Sequence, residues 1–273
     1  MNGGPLIMIY ASHGITDNFS PDKFCHKFLL DRKSFESYIK CKQEKYVTIE
    51  KALAGKGEAF TIDDATVASY DAAKLLRNYG HEVTWFINPF YIENRIDYWF
   101  LKLNVLLDIS SHKKVILKNK EYLLSTKQEK LHFRNEFKIA IAGLPTEEER
   151  QKILAKIFDI NLEDIVLPNY LKTVTKSDIL ELHQLGVNIQ NHGWTHRQLK
   201  NADEIDIQKE ILLGKEWFSK NFQYETNFYA VPFGSCFPSD SLQNIAYWLL
   251  LEGSIAPGPH NSKVFNRIGF TLT

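Results

Sequence analysis

Between Phe60 and Ile87 the chain passes from strand to helix to strand with short joins, and this rhythm restricts it to parallel pairing. Phe60-Thr61-Ile62 is a short apolar run. Val67 to Asn78 then places Val67, Tyr70, Ala73, Leu75 and Leu76 on an amphipathic helix, closed by Gly80. Glu82 to Ile87 alternates and runs into a second apolar strand. Such a βαβ unit predicts an α/β fold.

The first of these strands ends in two adjacent carboxylates, Asp63 and Asp64. Charged groups are seldom fully buried without partners, so the strand is expected to open on a pocket. Alternation sends the two side chains in different directions, leaving one free to face a metal and the other a hydrogen-bonding or reacting group. The competing reading is helix capping, with Asp64 or Thr66 as the N-cap of the helix at Val67.

More than a hundred residues on, a helix over Lys176 to Leu185, with a Thr175-x-x-Asp178 cap, ends at Gly186 and leads into a short strand. Asn191-His192-Gly193-Trp194-Thr195-His196 follows. Histidines four apart meet on one side of a helical turn, or are brought together by a loop through Gly193. With a carboxylate from the other strand end they supply the His₂-carboxylate set of catalytic Zn²⁺ sites.

These residues resemble the polysaccharide deacetylase family, also called the NodB-homology family or carbohydrate esterase family 4. Its Thr-Phe-Asp-Asp-Gly motif is similar to Thr61-Ile62-Asp63-Asp64-Ala65, and its His-(Ser/Thr)-x-x-His motif matches the spacing of His192 and His196. Its third motif, Arg-x-Pro-x-Gly, corresponds to Ala230-Val231-Pro232-Phe233-Gly234, which lacks the arginine. A subgroup with Phe-Ala-Tyr-Pro-x-Gly is closer to Phe228 to Gly234. The likeness runs from Tyr10 to about Phe270.

The resemblance implies a distorted (β/α) barrel of fewer than eight strands, with its site at the carboxyl ends of the strands. It implies that Asp64, His192 and His196 hold a divalent metal, Zn²⁺ foremost, although such a set also admits Fe, Co or Mn. It makes Asp63 the general base and gives the Phe233 N–H to the oxyanion. His260, the only late histidine, is the candidate proton donor, because the family's Leu-x-His motif has no clear match. His13, where the subgroup often has Tyr-His, is a candidate substrate contact, together with Trp194 and Pro232. The family's third-motif arginine orients the catalytic aspartate, and Ala230 cannot. Ala65 also replaces the usual glycine.

The remaining sequence sets limits. Lys and Arg number 33 and Asp and Glu 33, so no global field draws the chain to nucleic acid or an anionic membrane, though a local basic patch is compatible with that balance. Three cysteines, Cys25, Cys41 and Cys236, suit a reducing compartment better than a disulfide scaffold. The Leu6–Ala11 run is too short for a signal-peptide core and reads as the first strand, and no stretch is long enough to span a membrane. The expectation is a cytoplasmic protein. Tyr46 to Ile49 reads as a short strand, Asp240 to Leu251 as a helix, and Ser254 to Ala256 and Arg267 to Phe270 as strands. Residues 1–273 read as a single domain with a helical insertion at about 92–171, in which Thr146 to Glu149 has capping-box spacing.

The function expected is metal-dependent N-deacetylation of an N-acetylated amino sugar, free, nucleotide-linked or lipid-linked. The alternatives are hydrolysis of a non-sugar amide or O-acetyl ester by the same site, or a catalytically weakened carbohydrate-binding protein.

Overall fold

The structure is a computed structural model that describes residues 7–234, 247–251, 258–259 and 263–272. Among the described residues, nine strands form its main sheet: β1 (Met8–Ser12), β2 (Glu58–Asp63), β3 (Thr84–Ile87), β4 (Asn188–Asn191), β5 (Phe228–Ala230), β6 (Tyr247–Leu250), β7 (Gly258–Pro259), β8 (Val264–Asn266) and β9 (Ile268–Gly269). Their spatial order is β7-β8-β6-β5-β4-β3-β2-β1-β9. Every neighbouring pair is parallel except β7 with β8.

One residue joins the two ends of this sheet. Asn266 of β8 pairs with Leu250 of β6, Ile268 of β9 pairs with Tyr10 of β1, and Arg267 lies between them. The sheet therefore curls until its far sides meet, giving the distorted barrel that the resemblance implied, but with nine strands among the described residues where fewer than eight were expected. Its strand centres are buried on both faces: Ile62, Trp85, Phe86, Ile189, Tyr229 and Leu249 are all closed to solvent.

The βαβ unit folds as its pattern predicts. Its helix spans Val67–Asn78 and the turn at Gly80 has a φ of +77°. The cap is Thr66, whose side chain accepts from the Ser69 N–H while Ser69 accepts from the Thr66 N–H. Capping thus makes no demand on Asp64. The caps at Thr146 with Glu149 and at Thr175 with Asp178 form as expected.

Two expectations are corrected. No strand forms at Tyr46 to Ile49: Val47 makes a single bridge to Ala59, and Thr48 caps a helix over Ile49–Leu53 instead. Tyr247–Leu250 is strand β6, not helix. A short apolar run reads alike in either state, and here it is buried between β5 and β8. Residues 240–246 and the expected strand at Ser254 to Ala256 lie outside the described residues.

The chain between β3 and β4 carries the helices Pro89–Asn94, Trp99–Ile109, Lys127–Ile141 and Glu147–Phe158. It also holds a hairpin, Lys114–Leu117 with Lys120–Leu123, which the helical reading did not include. Lys118 and Asn119 at its tip both have positive φ, the demand of a two-residue hairpin turn. Trp99, Phe133, Phe137, Leu154 and Phe158 form its buried centre. No helix among the described residues is long and apolar enough to cross a membrane.

Candidate metal centre and active site

β2 delivers Asp63 as its last residue and the backbone then turns through Asp64, whose φ is +69°. Two donors hold the Asp64 carbonyl in that turn, Trp85 Nε1 and Ser69 Oγ, each at 2.7 Å. The left-handed residue is the aspartate and not its successor, which explains why Ala65 stands where a glycine was expected. A bulkier side chain has no room there, since Ala65 is completely buried.

The histidine loop leaves β4 after Asn191, so of the two sequence readings the loop is the one that forms. Gly193 has a φ of +85°, and a Cβ there would lie 2.8 Å from the Tyr229 hydroxyl. Buried Glu210 holds the rest: its carboxylate accepts from the Thr195 N–H at 2.8 Å and Thr195 Oγ1 at 2.6 Å. Its carbonyl accepts from the Trp194 N–H. A relay ties this loop to the aspartates. The Ala65 N–H donates to Tyr98, Tyr98 donates to Asn88 Oδ1, and Asn88 Nδ2 donates to the carbonyls of His192 and Gly193.

Asp64, His192 and His196 thereby offer three ligand atoms within 4.8 Å of one another, all buried. Asp64 Oδ1 lies 3.3 Å from His196 Nε2 and 3.8 Å from His192 Nε2. His192 Nδ1 faces the Ala230 carbonyl at 2.8 Å; a carbonyl only accepts, so the proton sits on Nδ1 and the Nε2 lone pair is free. Burial holds both histidines below their usual range, further lowered at His196 by His192, so both are neutral. Burial, with Asp63 beside it, pushes Asp64 up to about 8. Asp64 Oδ1 and His196 Nδ1 have no hydrogen-bond partner among the described residues. A buried carboxylate oxygen left unpaired beside two imidazole nitrogens fits a divalent cation, which would supply the missing positive charge.

Asp63 has a different setting. Arg267 Nη1 and Nη2 bond its two carboxylate oxygens at 2.7 Å each, and Nη1 also donates to Thr61 Oγ1. Burial alone would raise Asp63, but Arg267 and then His192 outweigh it and bring it down to about 2. The arginine absent from Ala230 is thus supplied from the seam of the barrel. Sequence reading missed this role, although Arg267 is the only arginine after Arg197.

These groups open on a cavity of about 190 Å³. His13 and Phe233 line it; Pro232 and Trp194 do not. Trp194 packs on Phe90 instead, with ring centroids 5.9 Å apart, which removes it as a cavity-wall contact. Phe233 has a φ of +61°, and its ring lies 4.8 Å from that of His196. His13 is pushed down to about 4 by burial, partly offset by Asp63, and stays neutral. His260 lies outside the described residues. Phe100, Leu101, Asn104, Arg134 and Lys138, all from the stretch between β3 and β4, complete one wall.

A curled, mostly parallel sheet with two histidines and two carboxylates at its carboxyl end defines a class, the α/β barrels with a candidate metal centre. The particular family follows from sequence: the polysaccharide deacetylase profile matches residues 51–248, and the chain belongs to that family. Solved structures agree on the fold. Streptococcus pyogenes deacetylase PplD, in complex with acetate, is 15% identical with a TM-score of 0.58, covering 97% of this chain and 92% of that one. IcaB from Ammonifex degensii is 12% identical at 0.56, covering 98% and 93%. BC0361, a polysaccharide deacetylase from Bacillus cereus, is 12% identical at 0.52, covering 96% and 63%. Comparison with curated protein sequences gave no match.

Proposed function

We propose that the protein is a metal-dependent N-deacetylase that hydrolyses the acetamide of an N-acetylated amino sugar. The observation that carries this reading is the pairing, in one cavity, of the Asp64, His192 and His196 cluster with an Asp63 carboxylate held ionised by Arg267. A divalent cation in that cluster, Zn²⁺ foremost, supplies Lewis-acid polarisation of the amide and lowers the pKa of water.

The remaining work falls to side chains and backbone. Arg267 occupies one site on each Asp63 oxygen and leaves further lone pairs on both, so the carboxylate can accept the proton of an attacking water. Water oxygen bonds the carbonyl carbon, the C–N bond breaks, and the proton passes to the departing amine, leaving acetate and the free amino sugar. The Phe233 N–H makes no hydrogen bond among the described residues and is assigned to the developing oxyanion. Neutral His13 is assigned to a substrate hydroxyl.

Replacing Asp63 with Asn tests the central step. Acetate release from an N-acetylated sugar should fall by about 10²–10⁴, with the metal content of the protein unchanged. Turnover at the wild-type rate would remove Asp63 from the role.

A further inference from the structure

Three cations border the cavity, and none has a carboxylate partner among the described residues. Lys27 comes from the loop after β1; Arg134 and Lys138 stand one turn apart on the Lys127–Ile141 helix. All three surround one ring. Lys27 Nζ lies 5.6 Å, Arg134 Cζ 5.8 Å and Lys138 Nζ 6.0 Å from the centroid of Phe28, whose side chain is half exposed. Arg134 is only 2% exposed, and its one side-chain hydrogen bond runs from Nε to Asn104 Oδ1 at 2.6 Å. Its two Nη groups have no partner among the described residues. Among the described residues, the acids that line the cavity are Asp63, neutralised by Arg267, and Asp64, in the metal cluster.

Such an arrangement is costly in the free protein. A buried guanidinium without a counter-charge is destabilising, and like charges at i and i+4 on a helix repel. Burial and then Arg134 lower the pKa of Lys138 to about 7. A divalent cation nearby would add to the repulsion. An anion entering the cavity relieves all of it, and a guanidinium fork with two ammonium groups is the chemistry that holds phosphate or carboxylate.

We infer that Lys27, Arg134 and Lys138 bind an anionic group, a phosphate ester or a carboxylate, carried by the N-acetylated sugar. The substrate is then a sugar phosphate or an acidic sugar in preference to a neutral polymer. The sugar part of this inference rests on the deacetylase reading; the anion part does not.

The test compares kcat/KM for N-acetylglucosamine, N-acetylglucosamine 1-phosphate and N-acetylglucosaminuronic acid on metal-loaded enzyme. In parallel, the chelated protein is titrated calorimetrically with all three sugars, which separates charge-dependent binding from turnover. One charged sugar should be preferred over the neutral one by about tenfold or more, the scale of one hydrogen bond to a charged group. That preference, and binding to the chelated protein, should fall by a similar factor in both Lys27→Ala and Lys138→Met. Lys27 is exposed, so its substitution does not threaten folding. The phosphate and carboxylate arms decide which anion is meant. Absence of acetate with charge-dependent binding retained would sink the deacetylase reading alone. Equal handling of charged and neutral sugars, no binding of either charged sugar, or a preference unmoved by both variants would overturn the anion site.

Discussion

Asp63 and Arg267 act as one unit at the scale of single residues. The pairing holds the Asp63 carboxyl at about 2, below its ordinary 3.8, so its contribution to stability is present above about pH 4 and is lost as pH falls toward 2. Arg267→Gln leaves burial as the dominant influence and raises that pKa. The acidic limb of the kcat/KM profile should therefore move up by about 1–3 pH units, and Arg267→Lys should return part of the shift. An unmoved limb would show that Asp63 is not the group being titrated. The two aspartates and two histidines were legible because their local spacing marks strand ends and a loop. Arg267 was not, because it lies 204 residues from Asp63 and meets it only when the barrel closes.

At the scale of elements, the aspartate turn and histidine loop are held in register by the Ala65–Tyr98–Asn88 relay. Tyr98 is fully buried, so Tyr98→Phe leaves the Ala65 N–H and Asn88 Oδ1 without that partner. The expected loss is about 1–3 kcal/mol, read from the urea midpoint, with metal affinity lowered about 10–100-fold. Wild-type values for both would mean that the two loops hold their places independently. The helix of the βαβ unit was readable to its boundaries because Thr66, the helix periodicity and Gly80 agree on one answer, whereas its strands start two residues away from their expected positions, at Glu58 and Thr84. Tyr247–Leu250 was misread for the opposite reason: four consecutive apolar residues carry no period, and only pairing with β5 and β8 makes them a strand.

At the scale of the whole molecule, the barrel brings residues from β1, β2, β4, β5 and the seam at Arg267 to one end, and the stretch between β3 and β4 adds cations to that end. A cation bound there links sheet strands distant in sequence. Zn²⁺ at about a hundred times its Kd should stabilise the chelated protein by about 2.7 kcal/mol. That should appear as a rise in Tm, and Asp64→Asn should abolish it; an unchanged Tm would argue against a metal centre. The overall charge balance gave no sign of the Lys27, Arg134 and Lys138 cluster, since opposite charges elsewhere cancel it.

The most direct measurement of the central claim is acetate release from N-acetylated amino sugars by chelated and Zn²⁺-reconstituted protein, assayed side by side. The account predicts acetate from the reconstituted protein alone, abolished again by chelation. Equal release in both samples, or none from any acetylated sugar while Zn²⁺ binds tightly at Asp64, His192 and His196, would contradict it.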